Sequence, residues 1–123
     1  MKRFITAATA VVLAAVAFSA RASAPPVGPL PRSPVITITS YVQEYVAIAL
    51  PHGQSGLTWR AAPPYSARVV RPFAEQDVGD LTVLVYLAVR PGVATLNFGL
   101  TFDEHVKAYR AARYHVIVRP RPK

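Results

Sequence analysis

Leu81-Thr82-Val83-Leu84-Val85-Tyr86-Leu87-Ala88-Val89-Arg90-Pro91-Gly92-Val93-Ala94-Thr95-Leu96-Asn97-Phe98-Gly99-Leu100 is the stretch whose reading decides the fold. It holds two apolar runs rich in β-branched and aromatic residues, joined by Pro91-Gly92. Such residues favour strands, and a Pro-Gly pair between two runs marks a tight turn. The run 81–89 is nearly continuous in apolar character, as expected of a strand covered on both faces at its centre. The run 93–100 alternates, as expected of a strand with one face on a core.

Working outward, the same grammar repeats. Val35-Ile36-Thr37-Ile38-Thr39 is β-branched. Tyr45-Val46-Ala47-Ile48-Ala49-Leu50 alternates larger with smaller apolar residues. Leu57-Thr58-Trp59 and Ala67-Arg68-Val69-Val70 are short runs, and Tyr114-His115-Val116-Ile117-Val118 closes the series. Pro51 with Gly53 and Gly56, Pro63-Pro64, and Gly79-Asp80 supply turn signals between them. Seven short strands in so short a span predict an all-β, immunoglobulin-like β-sandwich over residues 35–118. Residues 102–113, FDEHVKAYRAAR, favour helix, with Val106, Tyr109 and Ala112 at helical spacing. They are expected to form a long loop carrying about one helical turn.

The N-terminal part reads differently. Lys2 and Arg3 precede an almost purely apolar run over residues 4–18, and Ala22-Ser23-Ala24 follows as a small-x-small cleavage signal. That is the layout of a secretory signal peptide over residues 1–24, and the apolar run is short for a membrane span. The expectation is an exported protein, periplasmic or secreted, with no stable membrane span after cleavage. Residues 25–34, PPVGPLPRSP, are read as a proline-rich, extended spacer. Cutting after Ala24 leaves 99 residues, enough for one small domain. It would hold eleven Lys and Arg against six Asp and Glu, a net charge of +5. This balance favours anionic partners. Export removes nucleic acid as an expected target. A basic tail, 119–123, carries Arg119, Arg121 and Lys123 between prolines and suggests contact with an anionic surface polymer.

Little catalytic chemistry is encoded. There is no Cys, so thiol catalysis and disulfide staples are both absent. His52, His105 and His115 are not at metal-ligand spacing. Asp103-Glu104-His105 is a local acid and imidazole cluster in an expected loop, best read as a solvated face. No phosphate-cradling glycine loop and no serine triad can be assembled from the sequence. The expectation is a protein that is not an enzyme and uses no cofactor or metal.

The loops carry a further pattern. In Leu50-Pro51-His52-Gly53-Gln54-Ser55-Gly56-Leu57-Thr58-Trp59 an apolar strand passes through a flexible turn into a Trp-bearing strand. This layout resembles the chagasin-type inhibitors of papain-like cysteine proteases, which are small exported immunoglobulin-like domains. In that family a Leu-Pro strand end leads into Asn-Pro-Thr-Thr-Gly and then an aromatic-x-Trp strand. Ser55 falls on the second Thr, and Gly56, Leu57 and Trp59 fall on the Gly, aromatic and Trp positions. Asp77-Val78-Gly79-Asp80 falls on the family's Gly-x-Gly-Gly loop and keeps Gly79. Ala88-Val89-Arg90-Pro91-Gly92 matches its Ala-Leu-Lys-Pro-Gly. His52-Gly53-Gln54 stands where the family has Asn-Pro-Thr. At the family's Arg-Pro-aromatic loop this chain has Thr101 to Glu104, with Phe102 as the aromatic.

The resemblance implies an inhibitor that fills the cleft of a papain-like cysteine protease with three loops. The first would present His52, Gly53, Gln54, Ser55 and Gly56, the second Val78, Gly79 and Asp80, and the third Phe102, Asp103 and Glu104. Two other classes fit the same residues: an immunoglobulin-like binding module with another ligand, and a structural envelope protein docked through its basic tail. Trp59 has a simpler reading than protease contact, as a core residue of a central strand.

Overall fold

The computed structural model describes residues 24–53, 56–64 and 67–122. The signal-peptide reading, Gln54, Ser55 and Lys123 therefore lie outside the described residues. Among the described residues no helix is present, and seven strands account for the ordered framework. They are β1 (Val35–Tyr41), β2 (Tyr45–Pro51), β3 (Thr58–Ala62), β4 (Val70–Val78), β5 (Leu81–Ala88), β6 (Gly92–Thr101) and β7 (Arg110–Arg119). One sheet has the order β1-β7-β6-β3 and the other β2-β5-β4. All neighbours are antiparallel except β1, which runs parallel to β7 with Val35 opposite Arg113 and Tyr41 opposite Arg119. The expected all-β sandwich is what the chain forms.

Period-two alternation explains which faces meet. In β2, Val46, Ile48 and Leu50 point inward while Tyr45, Ala47 and Ala49 face out. In β5 the inward set is Thr82, Leu84, Tyr86 and Ala88, and the outward residues are only half-buried. In β6, Ala94, Leu96, Phe98 and Leu100 face the core, met from β7 by Tyr114, Val116 and Val118. Phe98 and Tyr114 pack edge-on with ring centroids 6.2 Å apart. Trp59 is only 3 % exposed and belongs to this core. Sealing such side chains from water, at about 25 cal/mol per Å² of apolar area, is what a Cys-free chain has to hold its two sheets together.

Two segments differ from the sequence reading. Residues 102–109 form an irregular loop without a helical turn, and β7 starts at Arg110, four residues before the expected strand. Tyr109 N–H donates to Leu100 O at 2.7 Å. The pairs Leu100–Arg110, Gly99–Ala111 and Phe98–Ala112 then zip the strands together. Ladder pairing against β6 outweighs the weak helix preference of so short a segment. The second difference is β4. Residues 67–69 are turn, and the strand runs from Val70 to Val78 through Arg71, Pro72, Phe73, Ala74, Glu75, Gln76 and Asp77, a stretch with no apolar alternation. It is an edge strand with a register shift between Pro72 and Ala74. Proline is tolerated there because the missing N–H falls at the edge. Asp77 and Val78 thus lie in a strand, and the expected second loop shrinks to the turn at Gly79 and Asp80.

The proline-rich segment 25–34, read as a spacer, lies against the outer face of the four-stranded sheet. Leu30 and Pro31 are half-buried, and Arg113 of β7 donates from Nη1 to Pro31 O at 2.7 Å and to Ser33 Oγ at 2.6 Å.

Candidate functional site

Strand register brings three connections to one end of the sandwich. Pro51, the last residue of β2, pairs with Leu81, the first of β5. Thr58, the first of β3, pairs with Thr101, the last of β6. Val78, the last of β4, pairs with Leu81. The β2–β3 loop, the β4–β5 turn and the β6–β7 loop are therefore neighbours, although they are spread over more than fifty positions of the sequence.

The β2–β3 loop is tied at its root. Trp59 Nε1–H donates to Pro51 O at 3.1 Å, bridging the two ends of the loop, and His52 N–H donates to Asp80 O at 2.8 Å, joining the first loop to the second. His52 is half-buried, and its two ring nitrogens are enclosed without a hydrogen-bond partner among the described residues. Gly53 is exposed and takes φ of 70°, with nothing within 4 Å of where a Cβ would stand. A left-handed backbone at an open position suits glycine, and most other residues there, Asn and Asp excepted, are strained by about 1–2 kcal/mol. An open cleft of about 370 Å³ lies beside this loop, lined by His52, Leu57, Trp59, Glu75, Asp77 and Thr82 among others. Thr82 Oγ1–H donates to Asp77 Oδ1 at 3.0 Å across the β4–β5 hairpin. That bond fixes the Asp77 carboxylate in the hairpin stem, below the turn.

In the β6–β7 loop Phe102 is 54 % exposed and Tyr109 66 % exposed, with ring centroids 6.3 Å apart. Val106 and Val78 are also exposed at this end. Asp103, Glu104 and Asp80 are exposed beside them. His105 adopts φ of 61°, a left-handed conformation that few residues other than glycine take, and it shapes the loop tip. At the loop's root, Arg60 and Thr101 are buried although both point away from the core. Arg60 Nε–H donates to Thr101 Oγ1 at 2.8 Å. The surface presented therefore combines exposed aromatic and apolar side chains with exposed carboxylates.

Of the residues singled out from sequence, His52, Gly53 and Gly56 share the first loop, Gly79 and Asp80 form the second turn with Val78 leading into it, and Phe102, Asp103 and Glu104 open the third. Sequence reasoning missed Tyr109 and Arg60. Tyr109 was placed on a helical turn, and its signal was the Phe-to-Tyr interval inside a loop. Arg60 carried no signal, since an Arg in a strand is ordinarily an exposed residue. Among the described residues no group of three His, Asp or Glu could hold a metal ion. The arrangement is suited to surface recognition: rooted loops, exposed aromatics and a fixed backbone.

This geometry defines the class as a seven-stranded immunoglobulin-like sandwich with a three-loop end. A comparison with a solved structure agrees with the fold. The chain is similar in structure to the cysteine protease inhibitor EhICP2 of Entamoeba histolytica, with a TM-score of 0.55 and 14 % identity, covering 69 % of this chain and 95 % of that one. It also aligns with the CupB6 tip adhesin of Pseudomonas aeruginosa at a TM-score of 0.32 and 12 % identity, covering 80 % of this chain and 44 % of that one. No protein-family model matches the chain, and no curated protein sequence matches it.

Proposed function

We propose that this protein is an exported inhibitor of papain-like cysteine proteases that occupies the enzyme's cleft with the three-loop end of the sandwich. The observation that carries the reading is the convergence of the β2–β3, β4–β5 and β6–β7 connections at one end. The structural similarity to a cysteine protease inhibitor and the family-like residues Gly56, Trp59 and Arg90-Pro91-Gly92 support it. In this reading Gly53 lets the first loop's backbone approach the catalytic thiol. Phe102 and Tyr109 supply the apolar contact area that anchors interfaces. Inhibition requires no chemistry from the chain. The loops exclude substrate by occupying the cleft, and a rigid scaffold lowers the ordering cost of doing so.

The test is a titration of the purified protein against papain and two related enzymes. Dose-dependent, reversible inhibition is expected, without cleavage of the inhibitor. No inhibition at high micromolar concentration by a correctly folded protein refutes it.

A further inference from the structure

The proline-rich segment 25–34 touches more than the sheet. Gly99 lies on β6 with its Cα facing outward, opposite Arg60 on β3 and Ala111 on β7. A Cβ at Gly99 would stand 2.6 Å from Pro26 Cγ, 2.8 Å from Ala108 Cβ and 3.0 Å from Leu30 Cδ2. Real Cβ atoms do not come so close to neighbours, so the absent side chain is what lets the segment and the third loop meet over β6. The second contact is a hydrogen bond. Val27 N–H donates to Val106 O, in the far half of the third loop, at 2.9 Å. The third is Arg113, which faces out from β7 and gathers Pro31 O and Ser33 Oγ, with Leu30 O farther off at 3.5 Å.

Each partner suits the role. The segment bends at residues 27–29, with Gly28 at φ of 75°, and is not a continuous extended run. Its prolines have no N–H to give, and the Leu30 and Pro31 carbonyls face the guanidinium. The segment also has little conformational freedom to lose on docking. Together the contacts explain why Gly99 is buried on a face that would otherwise meet water. The covering layer is the segment and the 102–109 loop, packed against one another.

We propose that residues 25–34 form a brace that holds the β6–β7 loop in its working shape, with Gly99 and Arg113 as positioning residues. The third loop of the recognition end is then fixed from the N-terminal side of the chain as well as by its own strands. This deepens the inhibitor reading and rests on it for the functional consequence, while the mechanical part stands on the contacts alone.

Three variants test the brace in the full chain. Val27→Pro removes the N–H given to Val106 and leaves a side chain position that is already exposed, 46 % in the parent. Arg113→Ala releases the segment from β7. Gly99→Ala inserts the Cβ that the packing excludes. Val27→Ala keeps the hydrogen bond and is the control. The direct readout is amide hydrogen exchange over residues 102–109, with β2 and β5 as internal reference. Losing one backbone hydrogen bond should raise loop exchange about three- to tenfold in Val27→Pro, with the reference strands unchanged and Val27→Ala like the parent. Papain inhibition should weaken in Val27→Pro, Arg113→Ala and Gly99→Ala and stay at the parent level in Val27→Ala. Unchanged loop exchange in both Val27→Pro and Arg113→Ala overturns the brace. If the parent itself fails to inhibit papain, the inhibitor reading falls and the exchange measurement still decides the brace.

Discussion

Truncating Trp59 separates the two jobs assigned to it. The indole is 3 % exposed among the residues between the sheets, and its N–H donates to Pro51 O at 3.1 Å. Trp59→Ala removes the whole ring and should cost about 3–5 kcal/mol, as large-to-small changes at buried aromatics do. Trp59→Phe keeps a ring and loses the N–H. Pro51 is exposed, so water can take up its carbonyl, and the lost hydrogen bond should cost only about 0.5–1.5 kcal/mol. The smaller ring adds about 1–2 kcal/mol of lost burial. The expected order is therefore parent, then Trp59→Phe lower by about 1.5–3.5 kcal/mol, then Trp59→Ala. Domains of this size have total stabilities of about 5–15 kcal/mol, so Trp59→Ala should be marginal at room temperature. Urea unfolding followed by far-ultraviolet circular dichroism gives both numbers, since the chain has one Trp and fluorescence is lost in the variants. Equal slopes with shifted midpoints are expected. Trp59→Ala lying within about 1 kcal/mol of the parent would refute the assignment of Trp59 to the core.

The remaining predictions concern the loops and their supports. Arg60→Ala removes the guanidinium from Thr101 at the root of the third loop and should destabilise by about 1–3 kcal/mol in the same urea assay, an effect that would not be seen at an exposed Arg. Gly53→Glu should weaken papain inhibition while costing about 1–2 kcal/mol for its left-handed backbone, and Phe102→Ala and Tyr109→Ala should each weaken inhibition with thermal unfolding nearly unchanged, because both rings are exposed. Burial pushes the Tyr114 phenol above its ordinary value of 10.0. Above about pH 10 the unfolded chain therefore releases this proton while the folded chain keeps it, so stability should fall as pH rises through that range. Tyr114→Phe should flatten part of that decline in urea midpoints measured from pH 9 to 11.

The strand grammar was legible in the sequence because a strand on a two-sheet core writes its burial as alternation. Val46, Ile48 and Leu50, or Ala94, Leu96, Phe98 and Leu100, announce their inward face without any partner being known. Pro91-Gly92 and Gly79-Asp80 announce the turns by the backbone they require. The loop positions were legible for the same reason, as the intervals between such runs, and His52, Gly53, Gly79, Asp80 and Phe102 were found there. Three features were not readable. Strand β4 has no alternation because it is an edge strand carrying Pro72 and four polar or charged side chains, so only its ladder with β5 makes it a strand. The 102–113 segment favours helix locally, and pairing with β6 decides otherwise for its second half.

The residues that support the third loop left no trace in the sequence at all. Arg60, Gly99, Arg113 and Val27 lie far apart along the chain, and each has an unremarkable local context. They matter because the folded sheet presents an outer face on which a distant proline-rich segment and a loop can meet. Local sequence determined that this chain forms strands, turns and an apolar core, since those follow from side-chain period and backbone preference over a few residues. Only the tertiary structure decided which loops stand together, which outward-facing side chains are buried, and what the proline-rich segment rests on, because those depend on contacts between residues separated by tens of positions that no local pattern encodes.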